Sequence, residues 1–159
     1  MDEYMQFAFP LSVQSNSPEQ TEALGASLAA QMQENASLPR FVALYGDLGV
    51  GKTAFVRGFA RVLAPESTVK SPTFALVNEY GSKKSRVYHF DMYRIIDDDD
   101  LYSTGFYDYL SSNAFCIVEW SEKIPFALPN EYIKIVIEKI SVELPNERLI
   151  TISVQSSTK

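Results

Sequence analysis

The chain has 159 residues, 46% of them hydrophobic and 21% charged, which suits a single domain with a real core and argues against disorder. Its net charge of −6 disfavours tight, unaided binding to nucleic acid, because phosphate contacts depend on Lys and Arg. The single cysteine, Cys116, excludes an intramolecular disulfide and a cysteine-built metal site; in AFCIVEW it reads as a small buried strand residue.

The amino terminus, MDEYMQFAFPLSV, opens with two acids where a secretory signal carries basic residues. No stretch approaches the roughly 20 apolar residues that cross a bilayer. The expectation is a soluble, cytoplasmic protein without membrane contact. With no internal repeat and no low-complexity linker, residues 1–159 form one domain.

Residues 5–13 predict a first strand. Ser17-Pro18-Glu19-Gln20 then reads as a helix start: Ser17 as N-cap, Pro18 at the first helical position and Gln20 closing a capping box. Ala23, Leu24, Leu28 and Met32 lie at helical spacing and carry that helix to about Asn35. The apolar run 41–45 predicts a strand buried on both faces, and Phe55, Val56, Phe59 and Val62 give helical periodicity over 52–63. Strands are predicted at 74–80 and 86–90, joined by the turn-like GSKKS, and a short helix at 101–110 follows an acidic run at 97–100. That run reads as a solvated helix start favoured by the helix dipole. Residues 115–118 predict another buried strand. YIKIVIEKI and ERLITISVQ alternate apolar with polar residues around LPN and predict an antiparallel pair. The fold class is α/β: a three-layer, P-loop-type domain with a mixed, largely parallel central sheet and an antiparallel C-terminal strand pair.

Between the strand at 41–45 and the helix at 52–63 stands Gly46-Asp47-Leu48-Gly49-Val50-Gly51-Lys52-Thr53, which satisfies G-x-x-x-x-G-K-[ST]. Glycines let the backbone wrap closely and turn N–H groups inward as a nest for phosphate oxygens, and the new helix adds its positive end. Lys52 is placed to reach the β and γ phosphates and the Thr53 hydroxyl to ligate Mg²⁺. The dinucleotide fingerprint fits poorly: the glycine spacing is reversed, and Lys52-Thr53 has no role in it.

Hydrolysis also needs a carboxylate near the metal and a group that orients water. FCIVEW places Glu119, and VYHFDMYR places Asp91, at the end of an apolar strand. Which holds the metal and which orients water is not fixed by spacing. His89, the only histidine, shares a strand face with Asp91 and reads either as structural or as part of the site. Ser71 and Thr73, within residues 71–74, resemble a switch segment or an ordinary strand entrance. Trp120 either stacks near a base or packs in the core.

Together GDLGVGKT, SPTFALVNEY, HFDMYR, STGFYDYL and VEWSEK resemble, in order and spacing, the bacterial TsaE (YjeE) family. That family is the small ATPase of threonylcarbamoyladenosine (t6A) synthesis in transfer RNA. The resemblance implies ATP or ADP and Mg²⁺ as cofactors and TsaB and TsaD as partner proteins, with transfer RNA met only through the complex. By motif it implies phosphate binding by Lys52, a metal ligand in Thr53, functional acids in Asp91 and Glu119, and a site neighbour in Trp120. ATP hydrolysis then resets the assembly between cycles. Two other functions share the loop: a small-molecule kinase, which needs an arginine-rich lid that only Arg86 and Arg94 hint at, and a nucleotide-gated binding module with negligible turnover.

Overall fold

The computed structural model describes residues 4–47, 49–72, 76–82 and 85–156. The helix predicted from Ser17 is α1, Pro18–Glu34. Ser17 has extended backbone, and its hydroxyl accepts the Gln20 N–H at 3.1 Å. Gln20 closes the box one residue further out than expected, accepting from the Asn16 N–H at 2.7 Å.

The predicted first strand is shorter and later than expected: β1 is Leu11–Ser15. Residues 5–7 are held by α1 instead. The Met5 N–H donates to Ser27 Oγ, and Phe7 exchanges two bonds with the Gln31 amide, so these backbone groups need no strand neighbour.

Strands β2 (Phe41–Tyr45) and β5 (Phe115–Glu119) and helix α2 (Lys52–Leu63) fall where the apolar pattern places them. β3 is Val77–Ser82 and β4 is Ser85–Asp91. The predicted starts at Phe74 and Ala75, and the tip of the hairpin at Lys83 and Lys84, lie outside the described residues. The helix expected over 101–110 is two: α3, Asp98–Ser103, and α4, Phe106–Leu110, separated at Gly105, which has φ 81°. The acidic run starts α3 as expected, with the Asp97 carboxylate accepting the Asp100 N–H at 2.9 Å.

The C-terminal pair is β6 (Glu131–Ser141) and β7 (Leu144–Ser156). Its turn is Val142–Glu143, not LPN: Ser141 pairs with Leu144, the Ser141 hydroxyl accepts the Glu143 N–H, and a bulge lies between Lys139 and Ser141. Pro145, without an N–H, is tolerated in β7 because β1 pairs only from Arg148 onward.

The sheet order is β1-β7-β6-β2-β5-β4-β3. The central β6-β2-β5-β4 block is parallel, and both flanks are antiparallel. Strand alternation sends Val42 and Leu44, Ile117, and Ile133, Ile135 and Ile137 to the α1–α2 side. Phe41 and Ala43, Cys116 and Val118 face the other side, where Leu101, Phe106 and Ile124 cover them. This gives the three layers expected. On the first side α1 and α2 approach so closely that a Cβ on Gly58 would lie 1.8 Å from the Glu22 carbonyl oxygen. Glu22 also pairs with Arg57 across the two helices at 2.7 Å.

Candidate active site

The chain leaves β2 at Tyr45 and enters α2 at Lys52 through residues 46–51; Leu48 lies outside the described residues. Gly46 has φ 149°, and a Cβ there would meet the Ile137 carbonyl oxygen at 2.6 Å, so no other residue permits this departure from the sheet. The N-cap of α2 is Gly51, which has no side chain to cap the helix, so its first amides remain available to an anion. The Asp47 side chain is exposed and Val50 is buried in the core, so these two residues contribute to the loop through their backbone.

Lys52 is only 4% exposed. Its ammonium donates to the Gly46 carbonyl at 2.5 Å and lies 3.5 Å from the centroid of the Trp120 ring. Burial pushes its pKa below the ordinary lysine value, against the opposing pull of Glu122, Glu119, Asp91 and Asp47. The Gly46 N–H donates to Glu122 Oε2 at 3.2 Å, a tie that the sequence did not reveal.

β4 and β5 run parallel with Asp91 directly beside Glu119, so both predicted acids emerge at the carboxyl ends of adjacent strands. In open α/β sheets this edge is where ligands bind. Both are buried. Burial raises the Asp91 carboxyl above its ordinary value, and the Tyr93 N–H, donating at 2.9 Å, partly offsets this. The Thr53 hydroxyl lies 3.4 and 3.5 Å from the two Glu119 oxygens, distances long for a strong hydrogen bond.

His89 is fully buried and joined to the site. Its Nε2 is 2.5 Å from Glu119 Oε2, and its Nδ1 is 2.9 Å from the Tyr80 hydroxyl. Tyr80 escaped sequence reasoning: it pairs with Val87 in the hairpin, and its hydroxyl reaches diagonally to His89, two residues further along β4. Trp120 sits in left-handed backbone at φ 60° and packs on Tyr93, with ring centroids 4.9 Å apart. It is a cleft wall that also touches the core on the α4 side.

A cleft of about 430 Å³ joins these groups: Lys52, Thr53, Asp91, Glu119 and Trp120, with Gly49 and Gly51 of the loop, Ser71, and Tyr93 and Arg94 beyond β4. Thr73 and Phe74, the rest of the predicted switch segment, lie outside the described residues. Arg86 is elsewhere, lining a separate cavity with Arg40 and Phe115 at the amino ends of β4 and β5.

The family model described as threonylcarbamoyl adenosine biosynthesis protein TsaE matches residues 15–149. A Bacillus subtilis protein named tRNA threonylcarbamoyladenosine biosynthesis protein TsaE is 38% identical over 77% of this chain and 73% of its own length. One of the same name from Rickettsia felis is 35% identical over 89% of this chain and 79% of its own. The Haemophilus influenzae protein of that name is 44% identical over 55% of this chain, and the match spans 56% of its length. A crystal structure of Bacillus subtilis YdiB superimposes with a TM-score of 0.72 at 30% identity, over 96% of this chain and 90% of that one.

Proposed function

Since the chain belongs to the TsaE family of threonylcarbamoyl adenosine biosynthesis proteins, we propose that it binds ATP with Mg²⁺ in this cleft and hydrolyses it. The observation that carries the reading is convergence: Lys52 and Thr53 at the start of α2 and Asp91 and Glu119 on two adjacent strands open into one cleft.

The donor set suits Mg²⁺. Thr53 and the two carboxylates offer hard oxygens. Among the described residues no group of three or more His, Cys, Asp and Glu could hold a metal by itself. Such a site matches an ion that arrives with phosphate and takes only one or two carboxylates from the protein. When bound, Mg²⁺ neutralises the charge on the phosphates.

The uncapped amides of α2 and the loop face the phosphates, and Lys52 exchanges the Gly46 carbonyl and the Trp120 face for phosphate oxygens. Glu119, next to the Thr53 hydroxyl, takes the metal side. Asp91, whose carboxyl burial raises, orients the attacking water. The output is conformational: TsaB and TsaD read the nucleotide state, and hydrolysis resets the assembly between cycles of t6A synthesis. Arg94 is the only arginine among the described residues lining the cleft, which gives little support to a kinase lid.

The test is Mg²⁺-dependent ATP hydrolysis by this protein, alone and with its cognate TsaB–TsaD pair. Weak activity alone that rises sharply with the pair is the expected outcome. Nucleotide binding without hydrolysis in either condition overturns the ATPase reading in favour of a gated module. ATP-dependent phosphorylation of a metabolite overturns it in favour of a kinase.

A further inference from the structure

We propose that Tyr80 and His89 are positioning residues that aim the Glu119 carboxylate at the Thr53 side of the cleft, an inference that rests on the reading of Glu119 as a site carboxylate. Three neighbouring strands supply the line of groups: Tyr80 from β3, His89 from β4 and Glu119 from β5. All three side chains are buried, His89 completely.

The carboxylate end sets the direction of the line. An ionised carboxylate can only accept, so in the 2.5 Å contact it is His89 Nε2–H that donates to Glu119 Oε2. Nδ1 of the neutral ring is then an acceptor, and the Tyr80 hydroxyl, 2.9 Å away, is the donor that it needs. That hydroxyl also accepts the Lys70 N–H at 3.2 Å and lies 3.0 Å from the Lys70 carbonyl, which tie it to the strand entrance. Among the described residues His89 is the one close donor to the Glu119 carboxylate, since the Thr53 hydroxyl stands at 3.4 Å or more. With Oε2 pinned, the carboxylate cannot turn freely, and both its oxygens stay 3.4 and 3.5 Å from the Thr53 hydroxyl.

A histidine that only filled the core would need neither ring nitrogen matched to a cleft carboxylate. Here both are used, and the tyrosine that donates to Nδ1 also anchors Lys70, the residue before Ser71 in the cleft wall. Partners one step behind a metal or reacting carboxylate set its orientation, and losing them typically costs about 10–100-fold in metal affinity or activity.

The experiment uses tag-free protein, in which His89 is the only histidine and its ring signals need no assignment. A two-bond ¹H–¹⁵N spectrum of the nucleotide-free protein at pH 8 should show a single Nε2–H tautomer, and Tyr80→Phe should weaken that preference. In kinetics, Tyr80→Phe and His89→Leu should lower kcat about tenfold or more and raise the Mg²⁺ concentration for half-saturation. ATP KM and Mg²⁺-free ADP affinity should stay within about twofold. His89→Gln, whose amide restores a donor near the Nε2 position, should recover most of the loss. The proposal is overturned by an Nδ1–H tautomer in the wild-type protein. It is also overturned if His89→Gln is no better than His89→Leu and the losses merely follow thermal stability. If wild-type protein does not hydrolyse ATP, the proposed function fails by itself, while the spectrum and the Mg²⁺ dependence of ADP binding still decide the roles of Tyr80 and His89.

Discussion

Lys52 is held by two contacts that a nucleotide should replace, the Gly46 carbonyl and the Trp120 ring. Replacing it with alanine removes the cation but leaves the loop amides, which the proposed function assigns to the inner phosphates. Lys52→Ala is therefore expected to weaken ATP binding about tenfold more than ADP binding, the order of one charge-assisted hydrogen bond. Titration with the two nucleotides checks this, and equal losses would argue against contact with the terminal phosphate. Because Trp120 is the only tryptophan, intrinsic fluorescence reports on the same exchange. Nucleotide should change the emission of the wild-type protein as the ammonium leaves the ring. Under the proposed function, Glu119→Ala is expected to abolish hydrolysis while leaving Mg²⁺-free nucleotide binding within about threefold, since that reading assigns the phosphate contacts to the loop and α2.

At the scale of elements, α1 and α2 are locked by backbone contact, and the geometry of that pair sets where α2 delivers Lys52 and Thr53. Gly58→Ala places a methyl group where the Glu22 carbonyl already sits, so the helices must part. Alanine's better helix propensity, about 1 kcal/mol, does not offset overpacking of roughly 1–3 kcal/mol or more. A lowered urea midpoint is expected, and urea titration of wild type and variant measures it. Ser17→Ala removes a cap at the exposed start of α1 and should cost about 1 kcal/mol without changing nucleotide affinity. Ser17 lines a small cavity with Gly49, Val50 and Gly51 of the loop, so a strong change in affinity would show that this end of α1 sets the loop's conformation.

For the whole molecule, the sheet buries its central strands on both faces, and Cys116 reports on that burial. Burial pushes its thiol up to about 12. At pH 8 the folded protein should resist thiol reagents and the unfolded chain should react at an ordinary rate, so labelling follows global unfolding. The sign for stability is set by proton uptake: above the ordinary thiol pKa the unfolded chain gives up the proton and the folded chain keeps it. The folded state should therefore lose stability between about pH 9 and 12, and Cys116→Val should lessen that loss, as read by denaturant midpoints across that range. Mg²⁺-ATP should raise the thermal midpoint by mass action, by the equivalent of about 2.7 kcal/mol at a hundredfold excess over Kd. Among the described residues, no helix is long and apolar enough to cross a membrane.

Much of this was fixed by the chain locally. Buried strands announce themselves as apolar runs, helix starts as capping residues, and the loop from Gly46 to Thr53 as a spacing that phosphate chemistry requires. Asp91 and Glu119 could each be named from a strand end. The break at Gly105 was legible as a glycine inside a helical pattern, and its φ of 81° is the left-handed turn that ends α3; that residues 5–7 bond to α1 was not, because those bonds join residues 22 and 24 positions apart. Nor could local pattern show the turn at Val142–Glu143, which the pairing of β6 with β7 selects over LPN. The tertiary structure alone decided how the site closes. Strand order places β4 beside β5, aligning Asp91 with Glu119. The β3–β4 hairpin brings Tyr80 to His89, and a left-handed turn at Trp120 lays its ring against Lys52. The physical reason is that these contacts join residues 9 to 68 positions apart, held together by sheet register and burial rather than by local propensity.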